Sequence, residues 1–386
     1  MLLSPEFRRS SDGDVRLPGF RNLSTHIKDR SKILYSTLPQ ICRNGKKSKH
    51  DDGRETADAL AKEAKKNEMM LTSSGSVAGA SQNLAVVFSK GGKKGINQDR
   101  FVVWEDFGCQ DDMIFCGVFD GHGPWGHLVA KRVRKLMPAA LLRNWQKRVA
   151  HTVDGSDGIL IDRSCFQFDI WKQSYFETCS IIDQELEQYA DSFYSGTTAL
   201  TLIRQGDLLV VANVGDSRAV LATTDDDGRL VSVQLTVDLK PNLPRESERI
   251  MQSRGRVLSC EDEPGVYRVW MPTVEGPGLA ISRAFGDYYI KDFGLISEPE
   301  LTSRKITHRD QFAILATDGV WDVMSNEEAV EIVSSTEERE DAAKRLVESA
   351  ICAWKRKRRG VPMDDISAIC LFFRNIPLSK QQAKSV

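Results

Sequence analysis

From about residue 83 onward, short apolar runs alternate with polar turns. The runs at 84–88, 101–104, 114–119, 199–203, 208–211, 219–222, 231–235, 312–316 and 366–373 are rich in Val, Ile, Leu and Phe and have the length of strands. Tight turns such as Gln205-Gly206-Asp207 and Gly215-Asp216-Ser217 join several of them, which predicts antiparallel hairpins. Trp171, Tyr175, Ile182, Leu186 and Tyr189 keep one apolar face at helical spacing, as do Ala343, Leu346, Val347, Ala350, Ile351 and Trp354. Ser325-Asn326-Glu327-Glu328 has capping-box spacing and predicts a helix start. Hairpin-linked strands with a few long amphipathic helices predict an α+β fold, sheets packed together and covered by helices.

Residues 1–80 are rich in Ser, Lys, Arg, Asp and Gly without sustained periodicity. They read as a flexible N-terminal extension with at most a short polar helix within 51–70. Residues 81–375 read as one domain, because no Pro/Gly/Ser linker interrupts them, and 376–386 as a short tail. Two excursions stand out: a polar loop at 151–163, and a stretch at 241–278 with scattered Pro and Gly, predicted to form a flap.

A net charge of −1 gives no bulk attraction for nucleic acid or an anionic membrane. The apolar runs are too short to span a bilayer, the N-terminus has no secretory h-region, and Leu at position 2 leaves no glycine for myristoylation. No membrane anchor is therefore expected. The eight cysteines lack CxxC spacing, which argues against zinc and fits a reducing compartment, cytoplasm or nucleus.

The chemistry concentrates where apolar runs end. At 113–119 the run breaks after Phe119 into Asp120-Gly121-His122-Gly123, reading as a buried strand that delivers a carboxylate, a flexible carbonyl and an imidazole to one point. Alone, Asp-Gly is an ordinary turn. The design recurs after 312–316 as Thr317-Asp318-Gly319, with Asp322 close behind. Asp364 stands at the entrance of the run at 366–373, Gln98-Asp99 abuts the run at 101–104, and Asp216 lies in a turn. Clustered carboxylates repel one another and are costly to desolvate, so such a set calls for cations. Oxygen-only ligands point to Mg²⁺ or Mn²⁺. Two such ions about 4 Å apart can share a bridging water and clamp a phosphoryl group.

Asp120-Gly121-His122-Gly123, Ser195-Gly196-Thr197-Thr198-Ala199, Asn213-Val214-Gly215-Asp216-Ser217-Arg218, Ser282-Arg283-Ala284-Phe285-Gly286-Asp287, Ala316-Thr317-Asp318-Gly319-Val320-Trp321-Asp322 and Asp364-Asp365-Ile366-Ser367 closely resemble, in order and spacing, the type-2C metal-dependent serine/threonine protein phosphatases. Gly-His-Gly-Pro-Trp-Gly-His at 121–127 looks most like the plant branch. The resemblance implies two antiparallel sheets sandwiched between layers of helices. It also implies hydrolysis of phosphoserine and phosphothreonine by a metal-bridging water or hydroxide, without a phosphoenzyme. By motif, Asp120 would bridge two Mg²⁺ or Mn²⁺ ions, the Gly121 carbonyl would serve one of them, and Asp318 and Asp364 would complete the other. Asp99, beside Gln98, would support the second metal directly or through water. Asp216, with Asp318 and Asp322, matches a looser third site. His122 matches the acid that protonates the leaving oxygen, and Lys94 stands where the family carries a phosphate-binding arginine. Gln98 stands where the family often has Glu. The implied partners are phosphorylated proteins, met by a monomer.

Gln98 and Lys94 also support an alternative, a catalytically weak or inactive pseudophosphatase that binds phosphoproteins. Cys352 and Arg358 match the bare Cys-x5-Arg spacing of cysteine-dependent phosphatases, but Cys352 falls on the apolar face of a predicted helix, where no phosphate loop forms. The basic run at 355–359 reads as a last helical turn complementing the dipole, with a nuclear-import signal as the competing reading. Arg283 and Asp287 are expected to order a loop rather than touch substrate. Trp270 is displaced from the tryptophan motif that abscisic-acid-regulated plant members use for receptor binding, so that partnership is not expected.

Overall fold

The computed structural model describes residues 57–62, 70–72, 78–80, 84–153, 163–260, 263–273 and 278–373. The fold is built from two six-stranded sheets, all of whose neighbouring strands run antiparallel. One contains β1 (Met70–Thr72), β4 (Arg100–Glu105), β5 (Met113–Phe119), β8 (Ala199–Gln205), β9 (Leu208–Val214) and β15 (Glu300–Lys305), in that spatial order. The other is ordered β11 (Leu230–Gln234), β10 (Arg218–Thr224), β16 (Asp310–Ala316), β17 (Ile366–Phe372), β3 (Ala85–Lys90) and β2 (Ala78–Ala80).

Side-chain alternation makes three layers of core from these strands. Along β5, Ile114, Cys116 and Val118 face the second sheet, while Met113, Phe115 and Phe119 face helices α1 (Gly126–Val153) and α2 (Arg163–Leu186). Along β17, Ile369 and Leu371 face inward between the sheets, while Ile366, Ala368, Cys370 and Phe372 pack on the opposite face. Strands buried on both faces explain why the sequence shows continuous apolar runs rather than strict alternation.

The structure adds to the sequence expectation, or departs from it, in four places. Residues 70–80 lie in the stretch read as a flexible extension, yet β1 pairs with β4 and β2 with β3, closing the edge of each sheet. The short helix at 57–62 buries Ala57 and sets Leu60 and Ala61 against the first helical layer's core. The flap carries a helix, α3 (Pro244–Gln252), and a hairpin of β12 (Arg256–Ser259) and β13 (Tyr267–Trp270) around its own small core of Ile250, Val269, Ile281, Ala284, Ile290 and Leu295. Strand β15 was not expected, because an edge strand with Thr, Ser, Arg and Lys carries little apolar signal. Residues 154–162 of the predicted polar loop and 376–386 of the predicted tail lie outside the described residues.

Candidate active site

Strand register brings the carboxylates to one end of both sheets. Arg100 opposes Phe119 across β4 and β5, so Asp99 and Asp120 leave the first sheet side by side. Arg218 opposes Ala316, and Ala316 opposes Ala368, so Asp216, Asp318 and Asp364 leave neighbouring strands of the second sheet at the same end. The backbone of Asp120 is fixed by Thr198, whose N–H donates to the Asp120 carbonyl at 2.8 Å while its Oγ1 accepts the Asp120 N–H at 3.0 Å. Asp318 begins α4 (Asp318–Trp321), a single turn, and Asp322 follows it at the exposed rim.

The carboxylates feel one another. Burial, then the charges of Asp318, Asp99, Asp364 and Asp216, holds Asp120 well above the usual carboxylate range. Burial, then Asp216, Asp364 and Asp322, does the same to Asp318. Burial and the charge of Asp365 push Asp99 up to about 7. Two ammonium groups answer this negative field: Lys94 pairs with Asp364 and Lys240 with Asp216. Burial would lower the Lys94 ammonium's pKa, but Asp364, Asp318 and Asp120 raise it on balance.

Among the described residues no three His, Cys, Asp or Glu side chains already stand as a finished ligand set. The donor chemistry nonetheless suits a hard divalent cation, being all oxygen and strongly self-repelling. Asp99 adds a specific fit: its Oδ2 accepts from Thr317 Oγ1 at 2.9 Å, whereas its buried Oδ1 has no hydrogen-bond partner. Gln98, next in the chain, donates through Nε2 to the Gly123 carbonyl at 3.1 Å. Its Oε1, like Asp99 Oδ1, is buried without a hydrogen-bond partner.

His122, on β6 (Gly121–His122), meets Asp287 through Nε2 at 2.6 Å. Burial alone would lower the imidazole's pKa, but the charge and hydrogen bond of Asp287 raise it on balance. Asp287 is buried and left-handed, φ 54°, directly after β14 (Phe285–Gly286), which pairs with β7 (Gly196–Thr197) and through it with β6. The absence of a side chain at Gly196 makes room for the pair, because a methyl there would overlap Asp287 Oδ2 and lie 2.7 Å from His122 Nε2.

Three residues beside this cluster carry no signal of their own in the sequence. Lys240 carried no motif. Asp365 was read only as Asp364's neighbour, yet its buried carboxylate accepts the N–H groups of Gly92 and Gln98, each at 2.7 Å, and so ties down the loop bearing Lys94. Thr317 was read as part of a turn but donates to Asp99. Asp287, expected to order a loop rather than touch substrate, contacts His122, and Arg283 grips Glu246 of the flap at 2.7 and 3.0 Å.

The competing motifs resolve on geometry. Cys352 is exposed rather than on the apolar face, which Ala350, Ala353 and Trp354 occupy. It lies inside the helix Ala342–Lys357, with no backbone loop to cradle a phosphate. The seven described cysteines are free, and Cys42 lies outside the described residues. In the basic run, Lys357 donates to the Val323 carbonyl at 2.7 Å and Arg358 stands 3.6 Å from Asp322, so part of it braces the rim of the site. No described helix is long and apolar enough to cross a membrane.

Comparison with known proteins places this geometry in a family. The protein phosphatase 2C family profile matches residues 93–356. The chain is 61% identical over 325 residues to probable protein phosphatase 2C 34 of Arabidopsis thaliana, covering 83% of this chain and 90% of that one. It is 55% identical over 352 residues to probable protein phosphatase 2C 48 of Oryza sativa subsp. japonica, covering 89% and 99%. The crystal structure of serine-threonine phosphatase 2C from Toxoplasma gondii superposes with a TM-score of 0.70 at 26% identity, covering 79% of this chain and 99% of that one. The chain belongs to the protein phosphatase 2C family.

Proposed function

We propose that the chain is a protein phosphatase that hydrolyses phosphoserine and phosphothreonine with the help of two Mg²⁺ or Mn²⁺ ions, and that a third ion binds more loosely. The observation that carries this reading is the convergence of Asp120, Asp318 and Asp364 from two different sheets into a mutually repelling set. Those three carboxylates and the Gly121 carbonyl would hold the two principal ions, with Asp99 supporting one through its unpaired Oδ1. Asp216, Asp318 and Asp322 would form the looser site. Bound there, the ions supply Lewis-acid activation of water and neutralise the phosphoryl oxygens.

The chain's own residues do the rest. Lys94, on a loop pinned by Asp365, offers a point charge to the phosphate. With Nε2 held by Asp287, His122 has Nδ1 to deliver a proton to the departing serine or threonine oxygen. A raised pKa keeps that imidazole protonated nearer neutrality, which suits an acid. The expected substrates are phosphoproteins and the expected state is a monomer. The comparisons bring nothing in favour of the inactive, phosphoprotein-binding alternative.

The test is turnover of a phosphothreonine peptide by the purified full chain with Mn²⁺, with and without excess chelator. Activity that requires the cation and disappears in Asp318→Asn is expected; full activity in chelator would sink the metal mechanism.

A further inference from the structure

Beside His122 lies a group of aromatic side chains that the chemistry above does not use. Trp125 is 52% exposed, Phe193 46% and Tyr194 58%. Phe193 and Tyr194 meet edge to face at 4.8 Å, and Tyr194 leans on Tyr289 at 5.2 Å. The Trp125 ring lies against His127 at 6.3 Å and is joined to the others through its backbone; neighbouring exposed aromatic rings mark a contact surface far more often than single exposed residues do.

The backbone ties this group to the site. The Trp125 N–H donates to Ser195 Oγ at 2.9 Å, and Ser195 O accepts from the N–H of Asp287 at 3.0 Å. The Tyr289 N–H donates to the Phe193 carbonyl at 3.2 Å. These bonds join the backbone that carries the rings to the backbone of Asp287, whose side chain holds His122. The group also contributes no charge of its own, since Trp125, Phe193 and Tyr194 are all neutral. The charge nearest in sequence, Asp191, is spent on Arg132 at 2.7 Å.

We infer that Trp125, Phe193 and Tyr194 form a shelf that receives an apolar side chain next to the phosphorylated residue of the substrate protein, and so set a sequence preference. The inference rests on the phosphatase reading, because it takes the position of His122 to mark where the phosphorylated residue is bound. Stacking an aliphatic or aromatic side chain on these rings buries apolar surface on both partners, whereas a serine there buries little.

The test uses the full chain with Mn²⁺ and phosphothreonine peptides identical except for leucine, serine or arginine immediately before or after the phosphothreonine. A kcat/KM preference for leucine over serine of about tenfold, expressed in KM, is expected on one of the two sides. Tyr194→Ser and, independently, Phe193→Ser should erase it. Equal turnover of leucine and serine peptides, or a preference that survives both substitutions, would overturn the shelf. A preference for arginine lost in the variants would replace the apolar partner with a cationic one and overturn it too. If no peptide is turned over, the phosphatase reading fails, and fluorescence anisotropy of the same labelled peptides decides the shelf separately. Weaker binding of the leucine peptide by Tyr194→Ser upholds it, and equal binding overturns it.

Discussion

The carboxylate of Asp287 holds Nε2 of His122 at 2.6 Å, across a gap that only a glycine at position 196 leaves open. In the proposed mechanism Asp287 would fix which ring nitrogen is offered to the substrate without being a catalytic group itself. Asp287→Ala should lower kcat by about tenfold to a hundredfold and leave KM close to its starting value, since the lost interaction matters to proton delivery rather than to binding. Steady-state kinetics on a phosphothreonine peptide checks this. An unchanged kcat would remove Asp287 from the mechanism.

Gly196→Ala should produce a similar fall in kcat by a different route, because the added methyl displaces the pair rather than deleting it. If Gly196→Ala and Asp287→Ala act through the same contact, the double variant should be no slower than the worse single variant.

Asp365 stabilises the loop carrying Lys94 from beneath. Asp365→Ala strands two backbone N–H groups, at about 1–3 kcal/mol each if they stay buried. A lower Tm is expected together with a raised KM for phosphopeptide, since Lys94 loses its placement. Asp365→Asn, which retains a carbonyl acceptor, should recover part of both.

Replacing Gln98 by Glu should not improve the enzyme at saturating Mn²⁺. The Gln98 amide donates to the Gly123 carbonyl, and a carboxylate there would set two acceptors against each other, at a cost of about 1–2 kcal/mol. Thermal unfolding and a Mn²⁺ titration of activity would check both parts. A large rise in activity would mean that the missing charge had limited metal binding.

Glu246 makes the flap pH-sensitive. Burial alone would raise its pKa, but hydrogen bonds from Arg283, Arg249 and Ser282 lower it from 4.5 to about 2. A depressed pKa contributes stability that is complete above 4.5 and lost as pH falls toward 2, on the order of 3 kcal/mol. The stability gap between wild type and Glu246→Gln should therefore be widest near neutrality and close between pH 4.5 and 2. Chemical denaturation across that range measures it.

The central strands were legible because burial on both faces writes an uninterrupted apolar run, and the strand-end Asp-Gly pairs at Asp120 and Asp318 marked where those runs deliver their chemistry. Three of the four edge strands were not legible. The strands Met70–Thr72, Ala78–Ala80 and Glu300–Lys305 rely on backbone pairing with a neighbour, which leaves little trace in composition. The same limit hid Lys240 and Asp287. Each acts on a partner distant in sequence, Asp216 and His122, and only the packed sheets bring them together.

Strand β17 is the last strand in sequence, yet it lies between β16 and β3 in the middle of its sheet. A chain emerging from its N-terminus can pair β10 with β16 and β3 with the short β2, but these two halves of the sheet cannot join until residues 366–372 arrive. Asp364 stands two residues before that strand begins, so the same event that zips the sheet shut brings in one of the clustered carboxylates. In the proposed mechanism synthesis and competence would therefore be coupled, with turnover of phosphate waiting on the last strand to be made.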